Sequence, residues 1–482
     1  MRHSLDIVDL AQGGEGVARA CGRVVFVPFT APGDRVVADV PGGTGPAHAT
    51  LLEVLSPGEA RIEAPCGHFG PGEDAGCGGC EWLHLAYAAQ LQAKQRAFAE
   101  TLRRVGKLAP RGAPGSESDS STPSGGTYHA RPIIASPSPL RYRARAKFHL
   151  DRGTGRLVFF RRRSHEPVRV RECHLLEPEL DRLREAVGPA LAAARLEPRE
   201  VTLEWSRHDG RGAAFLQLPS LGPSVRQRAE ALLDALPALA GVVLGADGAP
   251  LALVGDPVLR HARRPCDPAA GIQRSRPDVF QQANREANAV LVETALALLR
   301  PDGEDVLELF CGAGNFTGPL SARSRSVHAV DAQGPSLDLA RADLAERGSS
   351  PVAGDNVRFF AGDALALARA FARETGRSAR RFCAAILDPP RDGARGIGPA
   401  LRDLGVPRAV YVSCDPATLA RDLKACGEAG YRVEVVQAVD MFPQTHHVEG
   451  VALITSGSRG PGGSAACAPA GRPPSGCDGR GR

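Results

Sequence analysis

The sequence predicts an α/β protein: a doubly wound, mostly parallel sheet at the C-terminal end, preceded by a small β-barrel and a central α/β domain. Three observations predict it. From about Phe280 onward, β-branched runs alternate with helical stretches, beginning "DVLELF", "SVHAVD", "NVRFFAGD", "FCAAILD" and "RAVYVS". Such alternation gives parallel strands joined by helices. Residues 1–60 hold short β-branched runs, "RVVFVPF" and "DRVVADV", split by the turn signal "TAPG", the pattern of an OB-type barrel or a plain structural β module. Between the two lies a mixed region from Leu140 to about Asp278.

The segments are taken in chain order. The first residues, "MRHSLDIVDL", carry no apolar leader, and the longest uncharged apolar stretch, near Ala235–Ala246, is too short and too rich in Gly and Pro to span a bilayer. A cytoplasmic location with no membrane partner is therefore expected, and the 12 cysteines are not expected to form a disulfide framework there. Residues 61–107 combine a cysteine cluster with a helix and are grouped with 140–278 as the central domain. Residues 108–139, rich in Pro, Gly and Ser, are expected to be a disordered insertion. Residues 279–456 form the doubly wound domain, and 457–482 are expected to be a disordered tail. The net charge of +5 is too small to argue for nucleic acid by itself.

Several motifs carry chemistry. In "LELFCGAGNFTGPL", Gly312 and Gly314 make a tight turn after the first strand, which permits close backbone approach to a ligand. Asp331 ends the second strand and Asp363 the third, and a carboxylate there suits ribose hydroxyls. The dinucleotide fingerprint and the Walker lysine are both missing, so S-adenosylmethionine is the natural nucleoside. In "ILDPPRDG", two prolines stiffen a loop that holds Asp388 at the same sheet edge. "YVSCDPATLARDL" places Cys414 after the fifth strand, and "HHVEG" places Glu449 in the turn between the last two strands. A cysteine and a carboxylate at one rim suit nucleophilic attack with proton abstraction.

Cys66, Cys77, Cys80 and Cys173 form a further set. Its C-x-x-C element suits zinc or an iron–sulfur cluster, and spacing does not separate the two. Arg141, Arg143, Arg145 and Lys147 alternate along a predicted strand, followed by Arg161, Arg162 and Arg163. A shared face of this kind suits phosphate contacts, although a merely solvated strand face is about as common.

Taken together, "DVFQQAN", "LFCGAGNFT", "LDPPRDG", "YVSCDPATLARDL" and "HHVEG" resemble the RNA uracil-5-methyltransferase family, in the family's order and over nearly the whole chain. The resemblance implies a Rossmann-like class I methyltransferase domain with an N-terminal TRAM-like barrel. It implies that Gln282, Phe310, Asn315, Asp331 and Asp363 contact S-adenosylmethionine and that Asp388 sits between cofactor and target base. Cys414 would be the nucleophile, Glu449 the base, and the four cysteines the ligands of a [4Fe-4S] cluster. RNA is the implied partner, 23S ribosomal RNA in preference to transfer RNA, with the protein a monomer. The sequence departs from the family in a longer gap between Cys66 and Cys77, in Asp331 where many relatives have Glu, and in the long 108–139 segment. The rival readings are an RNA cytosine-5-methyltransferase, whose proline–cysteine loop is missing, a non-catalytic RNA-binding iron–sulfur protein, and a ferredoxin-like electron carrier.

Overall fold

Nine strands form the largest sheet, in the spatial order Val357–Ala361, Ser326–Asp331, Asp305–Leu309, Ala384–Leu387, Arg408–Ser413, Glu449–Ser456, Tyr431–Val439, Thr127–Ala130 and Ala109–Pro110. The computed structural model describes residues 1–72, 76–112, 126–264, 267–346, 356–375 and 382–457. The first five strands run parallel, and Glu449–Ser456 runs antiparallel to its neighbours on both sides. Their central residues are mostly apolar because helices cover both faces, Glu308 and His328 being exceptions. Ligands in such sheets bind beyond the carboxyl ends of the strands, where the expected site residues lie.

The outer edge corrects one expectation. Residues 108–139 are not irregular throughout: Thr127–Ala130 pairs in parallel with Val435 and Val436, and Ala109–Pro110 pairs with Thr127–Tyr128. Tyr128 is buried there, in the core that also holds Leu419 and Leu423. The reason is physical: Tyr431–Val439 would otherwise present an open apolar edge, and native folds cover such edges. The Pro/Gly/Ser-rich centre, 113–125, lies outside the described residues, as do 458–482 of the expected tail.

The helix Tyr87–Gly106 corrects a second. Grouped by sequence with the central domain, it packs instead on the doubly wound domain. Phe98 and Leu102 share a core with Leu419 and Leu423 of the helix Pro416–Glu428. Gly106 permits the approach, since a Cβ there would come within 3.1 Å of the Ala420 carbonyl oxygen. Lys94 of this helix donates to Asp440 at 2.5 Å with both side chains fully buried, so removing either partner would strand a charge.

The N-terminal residues form a three-stranded and a four-stranded sheet around one apolar core that includes Leu5, Val25, Val36 and Leu51. The central domain is a seven-stranded, mostly antiparallel sheet backed by the helices Pro178–Ala193 and Val225–Ala235. Glu15 joins the two units. Buried, it accepts from Arg162 at 3.1 Å and Arg163 at 3.3 Å and lies 3.0 Å from His48.

Candidate active site and cysteine pocket

Cys414 follows directly on the strand Arg408–Ser413, and its direction is fixed on both sides. Ser413 Oγ accepts from the Asp415 amide at 3.2 Å. Asp415 caps the next helix, its carboxylate accepting from the Thr418 amide at 2.7 Å, and Pro416 occupies the first helical position. Both are standard ways of starting a helix, so the sulfur is held in the turn between strand and helix.

Glu449 arrives from the other direction. Ser413 pairs with Gly450 across the antiparallel strands, so Cys414 and Glu449 lie at the same end of neighbouring strands. Gly450 is required, because a Cβ would come within 2.6 Å of Leu419 and 2.9 Å of Phe98. Leu387 pairs with Tyr411 on the other neighbouring strand, which brings Asp388 to that edge. The Asp388 loop is tied to the helix that follows Cys414: Asp422 accepts from Tyr411 Oη and from the Ala394 amide, both at 2.7 Å. Gly393 has φ of +75°, and a Cβ there would come within 2.4 Å of the Asp422 carboxylate.

The electrostatics follow from burial. Burial pushes the Cys414 thiol up to about 11; Glu449 and Asp388 push the same way, and Arg391 opposes them. Burial raises Glu449 well above the carboxylate range, Asp388 adds to this, and Arg391 again opposes. One Glu449 carboxylate oxygen has no hydrogen-bond partner. Asp388 is pushed up to about 7 by burial. The exposed Arg391 is thus the cation that favours the ionised form of both Cys414 and Glu449.

The expected cofactor residues line the same edge. Phe310 has a positive φ of +62° and leads into the glycine turn. Asp331 accepts from the Gly312 amide at 2.8 Å and from the Gln333 amide at 2.8 Å. A Cβ on Gly312 would meet nothing within 4 Å, whereas one on Gly314 would come within 3.0 Å of Ala340. The first glycine therefore leaves room for a ligand and the second admits the following helix. Asn315 and Asn288 exchange amide hydrogen bonds at 2.8 and 3.0 Å. Gln282 is buried just before Asn284, which caps the helix Arg285–Leu299. Asp363 is exposed and caps the helix Ala364–Thr375, accepting from the Ala366 amide at 2.7 Å.

Two residues escaped the sequence reading. Glu308, buried on the first strand, accepts from Thr317 Oγ1 at 2.7 Å, and burial pushes it up to about 8, with Asp388 and Asp331 adding to the shift. The signal was an acid inside the apolar run "LELF". Glu81, next to Cys80, accepts from the His446 amide and contacts His446 Nδ1, both at 3.0 Å. It thereby ties the cysteine loop to the segment leading into Glu449.

Cys66, Cys77, Cys80 and Cys173 line one pocket together with Arg143. The Cys77–Cys80 loop lies against the strand Arg156–Phe160, the Gly78 amide donating to the Phe160 carbonyl at 2.9 Å. A Cβ on Gly78 would come within 3.1 Å of that oxygen. Among the described residues, no three His, Cys, Asp or Glu side chains close tightly enough to hold a metal ion. The four thiols around one pocket fit a larger polynuclear group, whose cysteine ligands stand on separate irons.

The basic stripe requires correction. Arg141 pairs with Glu172; Arg145 donates to the Val279 and Pro277 carbonyls at 2.6 Å; Lys147 bonds Glu200 at 2.7 Å; Arg143 lies over the Tyr142 and Phe442 rings. Arg162 and Arg163 link the central and N-terminal units through Glu15, while Lys147 and Arg163 stay more than half exposed. The cations of the stripe alternate only from Arg145 on, since Arg141 has φ of +56° and ordinary strand begins at Arg145.

Comparison with known proteins agrees with this geometry. Residues 259–456 match the family described as tRNA (Uracil-5-)-methyltransferase, and residues 5–41 match the TRAM domain. The chain is 32% identical over 470 residues to a 23S rRNA (uracil(1939)-C(5))-methyltransferase RlmD of Pseudomonas putida, covering 95% of this chain and 94% of that protein. It is 33% identical to the protein of the same name from Alkalilimnicola ehrlichii, over 93% of this chain and 95% of the other. Its fold is similar to that of the Pyrococcus abyssi tRNA (uracil-54, C5)-methyltransferase solved with S-adenosyl-L-homocysteine. There the TM-score is 0.70 at 20% identity, over 94% of this chain and 99% of the other. No helix among the described residues is long and apolar enough to cross a membrane. The chain belongs to the RNA uracil-5-methyltransferase family, enzymes that depend on S-adenosylmethionine.

Proposed function

We propose that the chain methylates carbon 5 of a uridine in 23S ribosomal RNA, with Cys414 as nucleophile and Glu449 as base. The observation that carries this reading is the pairing of Ser413 with Gly450, which sets the thiol and the carboxyl at one sheet edge beside Asp388. Carbon 5 of uracil is a weak nucleophile. Attack of the Cys414 sulfur on carbon 6 forms a C–S bond and turns carbon 5 into an enolate carbon. Phe310, Asn315, Asp331, Asp363 and Gln282 would hold S-adenosylmethionine, which would give its methyl group to carbon 5 and leave as S-adenosylhomocysteine. Glu449, ionised at this stage, takes the proton from carbon 5; the C–S bond breaks and the thiolate leaves. Arg391 favours the thiolate and the Glu449 carboxylate, both of which burial disfavours. Asp388 lies between the cofactor edge and the target ring.

The choice of ribosomal RNA is supported by the TRAM match and by the relatives named above, similar over nearly their whole length. A uridine in folded RNA must leave its stack to reach this edge, at a cost of a few kcal/mol, and the N-terminal and central domains would hold the RNA meanwhile. Cys66, Cys77, Cys80 and Cys173 would hold a [4Fe-4S] cluster in a structural role, because the Cys80–Glu81 link runs to His446 on the catalytic loop. The test is methylation of separated ribosomal and transfer RNA with a labelled donor, followed by mapping of the modified base. Label in 5-methyluridine of 23S ribosomal RNA is expected; label in transfer RNA alone overturns the substrate.

A further inference from the structure

A second cavity, of about 330 Å³, opens beside the nucleophile. Three parts of the chain wall it: the N-terminal loop Leu10–Gly13, the helix Tyr87–Gly106, and the rim formed by Cys414–Pro416 and His446–Val448. Asp388 and Glu449 do not line it. The reacting ring must meet those two carboxyls, so this cavity is its neighbour, sharing only the Cys414 lip.

The N-terminal loop is seated firmly enough to be a true wall. The Trp82 indole donates to the Gly14 carbonyl at 2.9 Å. Gly14 has φ of +84°, and a Cβ on it would lie 3.3 Å from Trp82 and 3.5 Å from His446. Gln12 stands exposed at the tip of this loop.

The chemistry of the walls selects the occupant. The one lysine, Lys94, is committed to Asp440 at 2.5 Å. Burial and the neighbouring His446 push His447 down to about 4, so it is neutral at physiological pH. Among the described residues, the cations lining the cavity, Lys94 and His446, are thus engaged with Asp440 and Glu81. The cavity offers apolar surface from Ala97, Phe98 and Val448, beside His446 in contact with Glu81 and the Asp415 carboxylate that accepts from the Thr418 amide, a lining that suits a base better than an anion. An amide such as that of Gln12 carries both donors and an acceptor, which suits a base edge. Covalent connectivity supplies the occupant: a strand that delivers one base to Cys414 carries the next nucleotide across the same lip.

We propose that this cavity receives the base of the nucleotide adjacent to the target uridine, and that Gln12 reads its edge. The proposal rests on the function proposed above. The N-terminal domain then contributes sequence discrimination at the active site. Single-stranded RNA is commonly read this way, with splayed bases held in separate pockets.

The experiment uses the full-length enzyme and a ribosomal RNA fragment containing the mapped uridine. Fragments with an abasic residue immediately 5′ or 3′ of that uridine are compared with the intact one, using wild-type enzyme and Gln12→Ala. One abasic position is expected to raise KM about tenfold, and Gln12→Ala to raise KM several-fold on intact RNA. The two effects should not compound when combined, and S-adenosylmethionine affinity should stay unchanged. Multiplicative effects, or no effect of either abasic residue, overturn the subsite while leaving the methylation reading intact. A wild-type enzyme that methylates no RNA overturns both.

Discussion

Asp388 and Glu449 stand at the same sheet edge: burial raises the Glu449 carboxyl, and the charge of Asp388 adds to that rise. A base must be ionised to act, so this pairing sets the acid limb of the pH–rate profile. Replacing Asp388 with Asn removes the opposing charge and lowers the Glu449 pKa. The acid limb of kcat should therefore move to lower pH in Asp388→Asn, although the maximum rate falls because Asp388 borders the target ring. Profiles measured with saturating RNA and donor decide this; a limb that stays in place would sink the electrostatic account.

Cys414→Ala should reduce methyl transfer more than about a thousandfold. Donor binding, followed by calorimetry, should be unchanged, because the thiol stands after the fifth strand and the glycine turn after the first. Substantial residual turnover would remove Cys414 from the nucleophile's role.

Glu449→Gln should trap a covalent complex. Proton removal is blocked, and Glu449 no longer contributes to raising the Cys414 thiol. Adduct should form at least as readily as in wild type and persist on a denaturing gel. If no adduct appears with donor and RNA both present, another group takes the proton.

Glu308 makes the fold sensitive to alkali. Its folded pKa, about 8, lies above the ordinary glutamate value near 4.3. A carboxyl raised in this way contributes stability that is present in full below about pH 4.3 and is lost as pH rises toward 8. Glu308→Gln keeps an acceptor for Thr317 and removes the titration. The Tm of wild type should fall relative to the variant between those limits, by an amount equivalent to a few kcal/mol. Parallel Tm curves from pH 5 to 9 would count against the assignment.

Cys80→Ser should abolish iron and sulfide binding and, through Glu81, loosen the loop at His446. Iron content and amide exchange across residues 440–448 report the two effects separately. Retention of a full complement of iron would exclude Cys80 as a ligand.

The doubly wound sheet was legible because its strands are short apolar runs ending in chemistry-bearing residues: Asp331, Asp388 and Cys414 each stand at or just after a strand's end. The edge strand at Thr127 was not legible, because its four residues follow a Pro/Gly/Ser-rich stretch and gain their strand character only from a partner far along the chain. The partners of the arginine stripe were not legible for a related reason. Alternation shows which residues share a face, but not that Glu172, Glu200 and Glu204 wait opposite them. Glu308 could have been found, since a lone acid in a buried strand calls for a partner or a raised pKa.

The strand Thr127–Ala130 has a consequence for how the chain is made. The contact of Gln437 with the Pro132 carbonyl, at that edge, joins residues 305 positions apart. During synthesis the N-terminal part of the sheet emerges long before the strand it must pair with. Segments 109–112 and 126–134 can pair with each other, but must wait for their third partner until Tyr431–Val439 has been translated. Contacts of such separation form late and slowly. A nascent chain stalled before Tyr431 would expose an apolar β-segment without that partner, so this edge is where a folding chaperone would be needed most.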